Sequence, residues 1–288
     1  MSASLKLLSE IRQSSERRPF EVLKLSEPLL NKGAISQAGD EVWLVYEQVF
    51  LAAIDEGQID VAKAVLAILH SRFGEESQRV KRLYGLVSEA TGHPDEAKQL
   101  YDEMLEKDAT NVLANKRLIA LLKSQGQNVQ AIQELVSYLD THGNDFEAWL
   151  ELMHLYMDQH LYSQAAFCVE EVILQQPANH YFHLCYAEIS YTMGNLDIAL
   201  KEYLRVVELS TDNVRGFYGV KLTADRILDI SSRASGKSKG SSHQFKIDNA
   251  PQKATLERLS QLATERLLAI YSGSSNAMKK TLEAWLKL

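Results

Sequence analysis

The feature that most constrains this chain is a recurrence of about 34 residues. Ala62, Ala97, Ala131, Ala165 and Ala199 follow one another at spacings of 35, 34, 34 and 34. Five residues before each stand Gly57, Gly92, Gly126, His160 and Gly194, in the same phase. Four residues after each alanine comes a large side chain: Leu66, Tyr101, Leu135, Val169 and Tyr203. Eight before each glycine or histidine comes another: Val49, Tyr84, Leu118, Leu152 and Tyr186. Asn111, Asp145, Asn179 and Asn213 add a polar turn residue at an unbroken spacing of 34. A fixed period of this length describes units too small to bury their own apolar faces, which must stack on one another to do so.

Each unit reads as two helices. Trp149, Leu152, Met153 and Tyr156 fall at i, i+3, i+4 and i+7, one face of a first helix. The glycine ends it in a left-handed conformation that other residues resist. His160 takes the same place as one of the side chains that tolerate that region. Leu196, Ala199, Leu200, Tyr203 and Val206 then mark a second helix. The repeated alanine sits where two backbones approach too closely for a larger side chain. Pro177 stops the second helix of the fourth unit.

The pattern resembles the tetratricopeptide family, whose helix-turn-helix unit has this period. The fourth unit, AWLELMHLYMDQHLYSQAAFCVEEVILQQP from Ala148, carries the signature most fully in Trp149, Leu152, Tyr156, Tyr162, Ala165 and Pro177. Elsewhere Lys81, Asn115 and His183 replace the tryptophan, and Ala109 and Thr211 replace the proline. The expected fold is all-α, a right-handed α-solenoid of tetratricopeptide helix-turn-helix repeats. Residues 1–40 are expected to form N-terminal capping helices around Leu5, Leu8 and Ile11 and around Phe20, Leu23, Leu29 and Leu30. Residues 41–211 are expected to hold five units. Residues 212–288 read as a degenerate sixth pair, interrupted by a flexible loop at about 231–250 and closed by a C-terminal helix. The loop expectation rests on SSRASGKSKGSSHQFK from Ser231, which is rich in Ser, Gly and Lys and has no acidic residue.

Composition narrows the function. A net charge of −7, from 31 basic and 38 acidic residues, disfavours a general nucleic-acid binder, which needs a basic face. No apolar run approaches the roughly 20 residues of a membrane helix. The first residues lack the apolar stretch of a secretory signal. Cys168 and Cys185 form no paired framework, which fits a reducing compartment. The chemistry-bearing residues are sparse. His154, His160, His180 and His183 come with no HExxH, and His183 stands at a packing position of the repeat. The cysteines read as inert core thiols. No phosphate loop, nucleophile elbow or dinucleotide fingerprint is present. No enzymatic activity, metal or cofactor is therefore expected.

Function is then expected on the face lined by the first helices, where solenoids hold partner segments. The repeat register places Glu47, Leu51, Arg79, Arg82, Leu86, Glu89, Lys116, Lys123, Glu147, His154, Tyr181, Glu188 and Tyr191 there. Arg79, Arg82, Lys116 and Lys123 make a basic wall, and Glu147 and Glu188 a more acidic continuation, suited to a charged peptide tail. An alternative is a soluble peptide-binding co-chaperone or adaptor. Its carboxylate clamp finds Arg82, Leu86 and Arg117 at the matching positions, but also Glu147 and Glu151, two acids where cations are required.

Several stretches go beyond any generic repeat: VWLVYEQVFLAAIDEG from Val42, RVKRLYG from Arg79, AKQLYDEMLEKDATN from Ala97, AIQELVSYLD from Ala131 and EAWLELMHLYMDQHLYSQAAFCVEE from Glu147. Over residues 40–225 they resemble the family of subunit 2 of the endoplasmic reticulum membrane protein complex. The resemblance implies a non-catalytic scaffold on the cytosolic face of the endoplasmic reticulum membrane. It implies support for the insertion of tail-anchored and multipass proteins. The implied partners are the membrane-embedded subunits 3 and 5, and subunit 8 or 9 where present. It assigns the chain no nucleic acid and no membrane span of its own.

Overall fold

The computed structural model describes residues 3–14, 16–236 and 251–286. The described residues form helices, with no strand among them. The chain divides into two compact units, 1–134 and 135–288, with the boundary inside one helix.

In the first unit, α1 (Ala3–Ser14) and α2 (Pro19–Asn31) lead through a 3₁₀ stretch, Ala34–Glu41, into α3 (Val42–Asp55). Then follow α4 (Ile59–Phe73), α5 (Gln78–Ala90), α6 (Pro94–Lys107), α7 (Val112–Ser124) and the start of α8 (Asn128–Thr141). The second unit holds the rest of α8, then α9 (Phe146–Asp158), α10 (Tyr162–Gln175), α11 (His180–Met193) and α12 (Leu196–Leu209). It ends with α13 (Val214–Gly236), α14 (Lys253–Ile270) and α15 (Asn276–Leu286). Within each unit successive helices pack against one another as helix-turn-helix repeats of the α-solenoid class.

The recurrent residues have distinct jobs. Asn111, Asp145, Asn179 and Asn213 are N-caps. Their side-chain oxygens accept from the backbone N–H groups of Ala114, Ala148, Tyr181 and Gly216 at 3.2, 3.1, 3.1 and 2.9 Å. Such caps contribute about 1 kcal/mol each by pairing a donor the helix leaves open. At the other end, Gly92 turns the chain at φ +80°, so that the N–H of His93 reaches back to the Ser88 carbonyl at 2.8 Å. The same six-residue closure recurs from Leu161 to Tyr156, although His160, at φ +57°, supplies the left-handed residue. The five repeat alanines are each 0% exposed, which leaves no volume for a larger side chain.

The ends depart from expectation in two places. Leu5, Leu8, Val22 and Leu29 are buried, but Phe20 is 68% exposed, because it lies on the opposite face of α2 from Val22, Ser26 and Leu29. The first residues of the expected loop at 231–250 are helical: α13 continues through Gly236, with the Ser231 hydroxyl donating to the Ile227 carbonyl at 2.8 Å. Residues 237–250 lie outside the described residues. Phe217, Val220, Ala224 and Ile227 of α13 are buried together with Leu256, Ala263 and Leu267 of α14. The helix α15 buries Leu282 and sets the Trp285 ring edge-on to Tyr218 at 4.6 Å. No described helix is long and apolar enough to cross a membrane.

Candidate partner-binding surface

Carboxylates of one first helix meet guanidinium groups of the next. Glu47 of α3 takes both Arg79 and Arg82 of α5. Glu89 of α5 takes Arg117 of α7, through Nε at 3.2 Å and a second, closer contact from Nη2. In the second unit, Glu188 of α11 takes Arg215 of α13 at 2.7 Å. The pairing at Glu47 is sheltered, with 12% of the Glu47 side chain and 15% of the Arg82 side chain exposed. Removing one member would leave a partly buried charge without its partner. These pairs stand about one repeat apart in sequence, a signal that charges read singly do not reveal.

Glu89 also accepts from the Tyr101 hydroxyl at 2.5 Å, so α5, α6 and α7 share one carboxylate. Burial, then the hydrogen bond and negative charge of Glu89, push the Tyr101 phenol up. Burial opposes the charge on Arg117, but Glu89 outweighs it and the guanidinium ends raised.

Within the first unit the expected surface residues divide between two hollows. Glu47, Arg79 and Arg82 line a hollow of about 360 Å³ with Gln78 and Met104. Leu51 lines a different one of about 370 Å³, facing Ile11, Arg17 and Val22. Leu86 is only 9% exposed and belongs to the core of its unit. Lys116 and Lys123 lie on α7, the first half-buried and the second exposed. In the second unit Glu147 and Tyr181 are exposed. His154 is exposed too, but its Nδ1 lies 2.7 Å from the Leu150 carbonyl of its own helix. The Arg226 guanidinium lies over the Tyr191 ring at 5.0 Å.

The remaining polar candidates are structural. His183 is buried between the Glu202 carboxylate at 2.7 Å and the Pro177 carbonyl at 2.9 Å, tying α11 to α12 and to the preceding turn. Burial pushes the Cys168 thiol up to about 12, which leaves it protonated and unreactive at neutral pH. Burial raises Cys185 as well. Among the described residues no group of three or more His, Cys, Asp or Glu side chains is placed to hold a metal ion. A feature the sequence reading missed is an apolar hollow of about 510 Å³ between α8, α9 and α10. Exposed Phe167 on a second helix was its available sign.

Stacked helix pairs with interlocked charges and open apolar hollows define a tetratricopeptide-repeat protein of the scaffold kind. A solved structure, the C-terminal part of a tetratricopeptide repeat-containing protein from Cytophaga hutchinsonii, matches with a TM-score of 0.60 over 95% of this chain and 98% of that one. At 13% identity it speaks for the fold alone. The family model of the EMC2 TPR-like repeat domain matches residues 59–202. The ER membrane protein complex subunit 2 of Xenopus tropicalis is 41% identical over 79% of this chain and 77% of its own length. The TPR repeat protein oca3 of Schizosaccharomyces pombe is 30% identical over 90% of this chain and 93% of its own. The chain belongs to the family of ER membrane protein complex subunit 2.

Proposed function

We propose that this protein is a non-catalytic scaffold subunit of the endoplasmic reticulum membrane protein complex, on its cytosolic side. There it holds cytosolic segments of the membrane-embedded subunits 3 and 5, and docks subunit 8 or 9 where present. In this way it supports insertion of tail-anchored and multipass proteins, while the chemistry of insertion belongs to its partners. The observation that carries the reading is the 41% identity to a subunit of that complex over most of both chains. Local chemistry on the first-helix face supports it. Beside Glu47, the Gln78 side-chain amide oxygen (Oε1) and the Arg82 Nε–H are buried without hydrogen-bond partners. Each such group costs about 1–3 kcal/mol, and a partner's backbone amide arriving with a small adjustment of these side chains would relieve both.

The co-chaperone alternative is weaker, because the cations its clamp needs are already engaged. Arg82 holds Glu47, Arg117 holds Glu89, and Leu86 is buried. The test is purification of the tagged full chain from detergent-solubilised membranes. Integral membrane subunits of the complex are expected to accompany it in stable proportion. A chain that elutes alone, or with soluble chaperones only, overturns the proposal. Tight binding of acidic peptides that requires their free C-terminal carboxylate would establish the alternative instead.

A further inference from the structure

Between Lys123 and Lys201 the sequence has no lysine or arginine, yet it has ten aspartates and glutamates. The apolar hollow of the second unit lies inside this stretch. Val136 of α8, Trp149 and Tyr156 of α9, and Phe167 of α10 form its walls, with Cys168 also lining it. Val136 and Phe167 are 39% and 53% exposed and open onto one contiguous apolar lining. Trp149 is fixed in place: its indole N–H donates to the Gly143 carbonyl at 2.9 Å, and its ring meets Phe167 nearly edge-on at 5.9 Å. Asp140 stands exposed at the rim and makes no ion pair or hydrogen bond with the described residues.

We propose that this hollow is the docking site of a cationic amphipathic helix on a protein partner. Its apolar side chains enter between Val136 and Phe167, and a flanking lysine or arginine meets Asp140 at the rim, on helices that carry no lysine or arginine of their own. The volume suits several side chains together and falls in the usual range of ligand pockets. A helix suits the site because α8, α9 and α10 engage their own backbone groups and offer no strand edge for an extended segment to pair with. Charge selects among the other occupants. An anionic bilayer surface or a nucleic acid would be repelled by a stretch without cations. A second copy would bring the same excess of carboxylates against itself. This inference concerns a face distinct from the first-helix pairs and does not depend on the function proposed above.

The test is a fluorescence-anisotropy titration of the full chain with a labelled peptide built from Leu and Lys as an amphipathic helix. Roughly 18 residues is long enough for the peptide to become helical. A counterpart with Glu for every Lys serves as the control. The cationic peptide is expected to bind and to change the chain's tryptophan emission, and the anionic one is not. Phe167→Glu is expected to weaken binding by about tenfold or more. Because that change adds negative charge, weakening would report loss of the apolar seat and not of attraction. Asp140→Lys is expected to weaken binding and to flatten its salt dependence. Asp140→Lys is expected to leave the thermal midpoint unchanged, and Phe167→Glu to lower it only slightly, through the lost ring contact with Trp149. Equal binding of the two peptides, or unaltered binding by Phe167→Glu, overturns the proposal. So does a dimer, or binding to anionic phosphatidylglycerol vesicles, that Phe167→Glu abolishes. Phe167→Glu protein that loses the peptide but still co-purifies with membrane subunits leaves the scaffold function intact.

Discussion

Replacing Gly85 with alanine tests how closely these helices approach. Gly85 lies inside α5, where alanine should favour the helix by about 1 kcal/mol over glycine. A Cβ built there, however, falls 2.6 Å from Cε1, Cζ and Oη of Tyr101, roughly an ångström inside ordinary contact. The Tyr101 ring is 0% exposed, and its hydroxyl is held by Glu89 at 2.5 Å, so it has no cheap way to retreat. Overpacking of this kind costs about 1–3 kcal/mol. If the ring moves and gives up its hydrogen bond to a charged acceptor, a further 1.5–3 kcal/mol, approximately, is at stake. The clash therefore outweighs the propensity gain, and Gly85→Ala is expected to destabilise by about 2 kcal/mol, read as a lower midpoint in urea unfolding followed by circular dichroism. The decisive measurement is a double-mutant cycle with Tyr101→Leu. In that background the same glycine substitution should turn neutral or stabilising, by up to about 1 kcal/mol, because only helix propensity remains. A Gly85→Ala protein as stable as the parent, or a penalty that persists undiminished in the Tyr101→Leu background, would refute the reasoning.

Further outcomes follow from the same geometry. His160→Gly is expected to raise the thermal midpoint, because the histidine is held at φ +57° and a left-handed non-glycine residue costs about 1 kcal/mol. Its exposed contact with the Tyr162 hydroxyl, at 3.0 Å, offsets little of that gain. His183→Ala is expected to destabilise by about 2–3 kcal/mol in urea unfolding, since it removes the buried ring that lies between the Glu202 carboxylate and the Pro177 carbonyl. Alkaline pH is expected to weaken the fold. Burial raises Cys168 from 9.0 to about 12, so between those values the unfolded chain releases a proton that the folded chain keeps. Stability is then fully present below about pH 9 and falls as pH rises, by up to about 1.4 kcal/mol per pH unit for that group. Tyr138, raised to about 12 mainly by burial, adds to the loss. Urea midpoints at about pH 8.5 and about pH 10.5 check this, one on each side of the point where the decline begins. Cys168→Ala should make the decline shallower.

What the sequence made legible was whatever the backbone demands in every unit alike. The alanine at each close approach, the left-handed residue after each first helix and the Asn or Asp before the next one answer the same local requirement each time. They therefore surface as a strict period. The tetratricopeptide class and the family followed from those positions and from stretches such as RVKRLYG. The site was less legible, because a side chain's partner is chosen across helices. Arg79 and Arg82 read singly as a basic wall, yet both close on Glu47. Leu86 read as an apolar groove position, yet the packing of α5 buries it. The 3₁₀ stretch at Ala34–Glu41 escaped notice because it follows no repeat; it buries Ile35 and Ala38 and kinks at Gly39. Ser231–Arg233 are helical, against expectation, because they are carried on by the helix whose buried face precedes them.

A single net charge conceals the most useful part of the electrostatics. The chain carries −7 in all, from 31 basic and 38 acidic residues. Residues 124–200 contribute ten acids and no lysine or arginine, which leaves 31 basic against 28 acidic residues elsewhere, a balance of +3. The overall charge is thus an acidic middle set within a slightly basic remainder. In the first unit Arg79 and Arg82 of α5 and Arg117 of α7 are matched to carboxylates on the preceding first helix, at Glu47 and Glu89, and so hold successive repeats in register. In the middle stretch no lysine or arginine is available to do this among its own residues, and Glu188 reaches outside it, to Arg215. An excess of like charge in one stretch brings folding no gain, since like charges repel one another in the compact state. That excess beside an open apolar hollow, with Asp140 at its rim, suits a partner that brings positive charge.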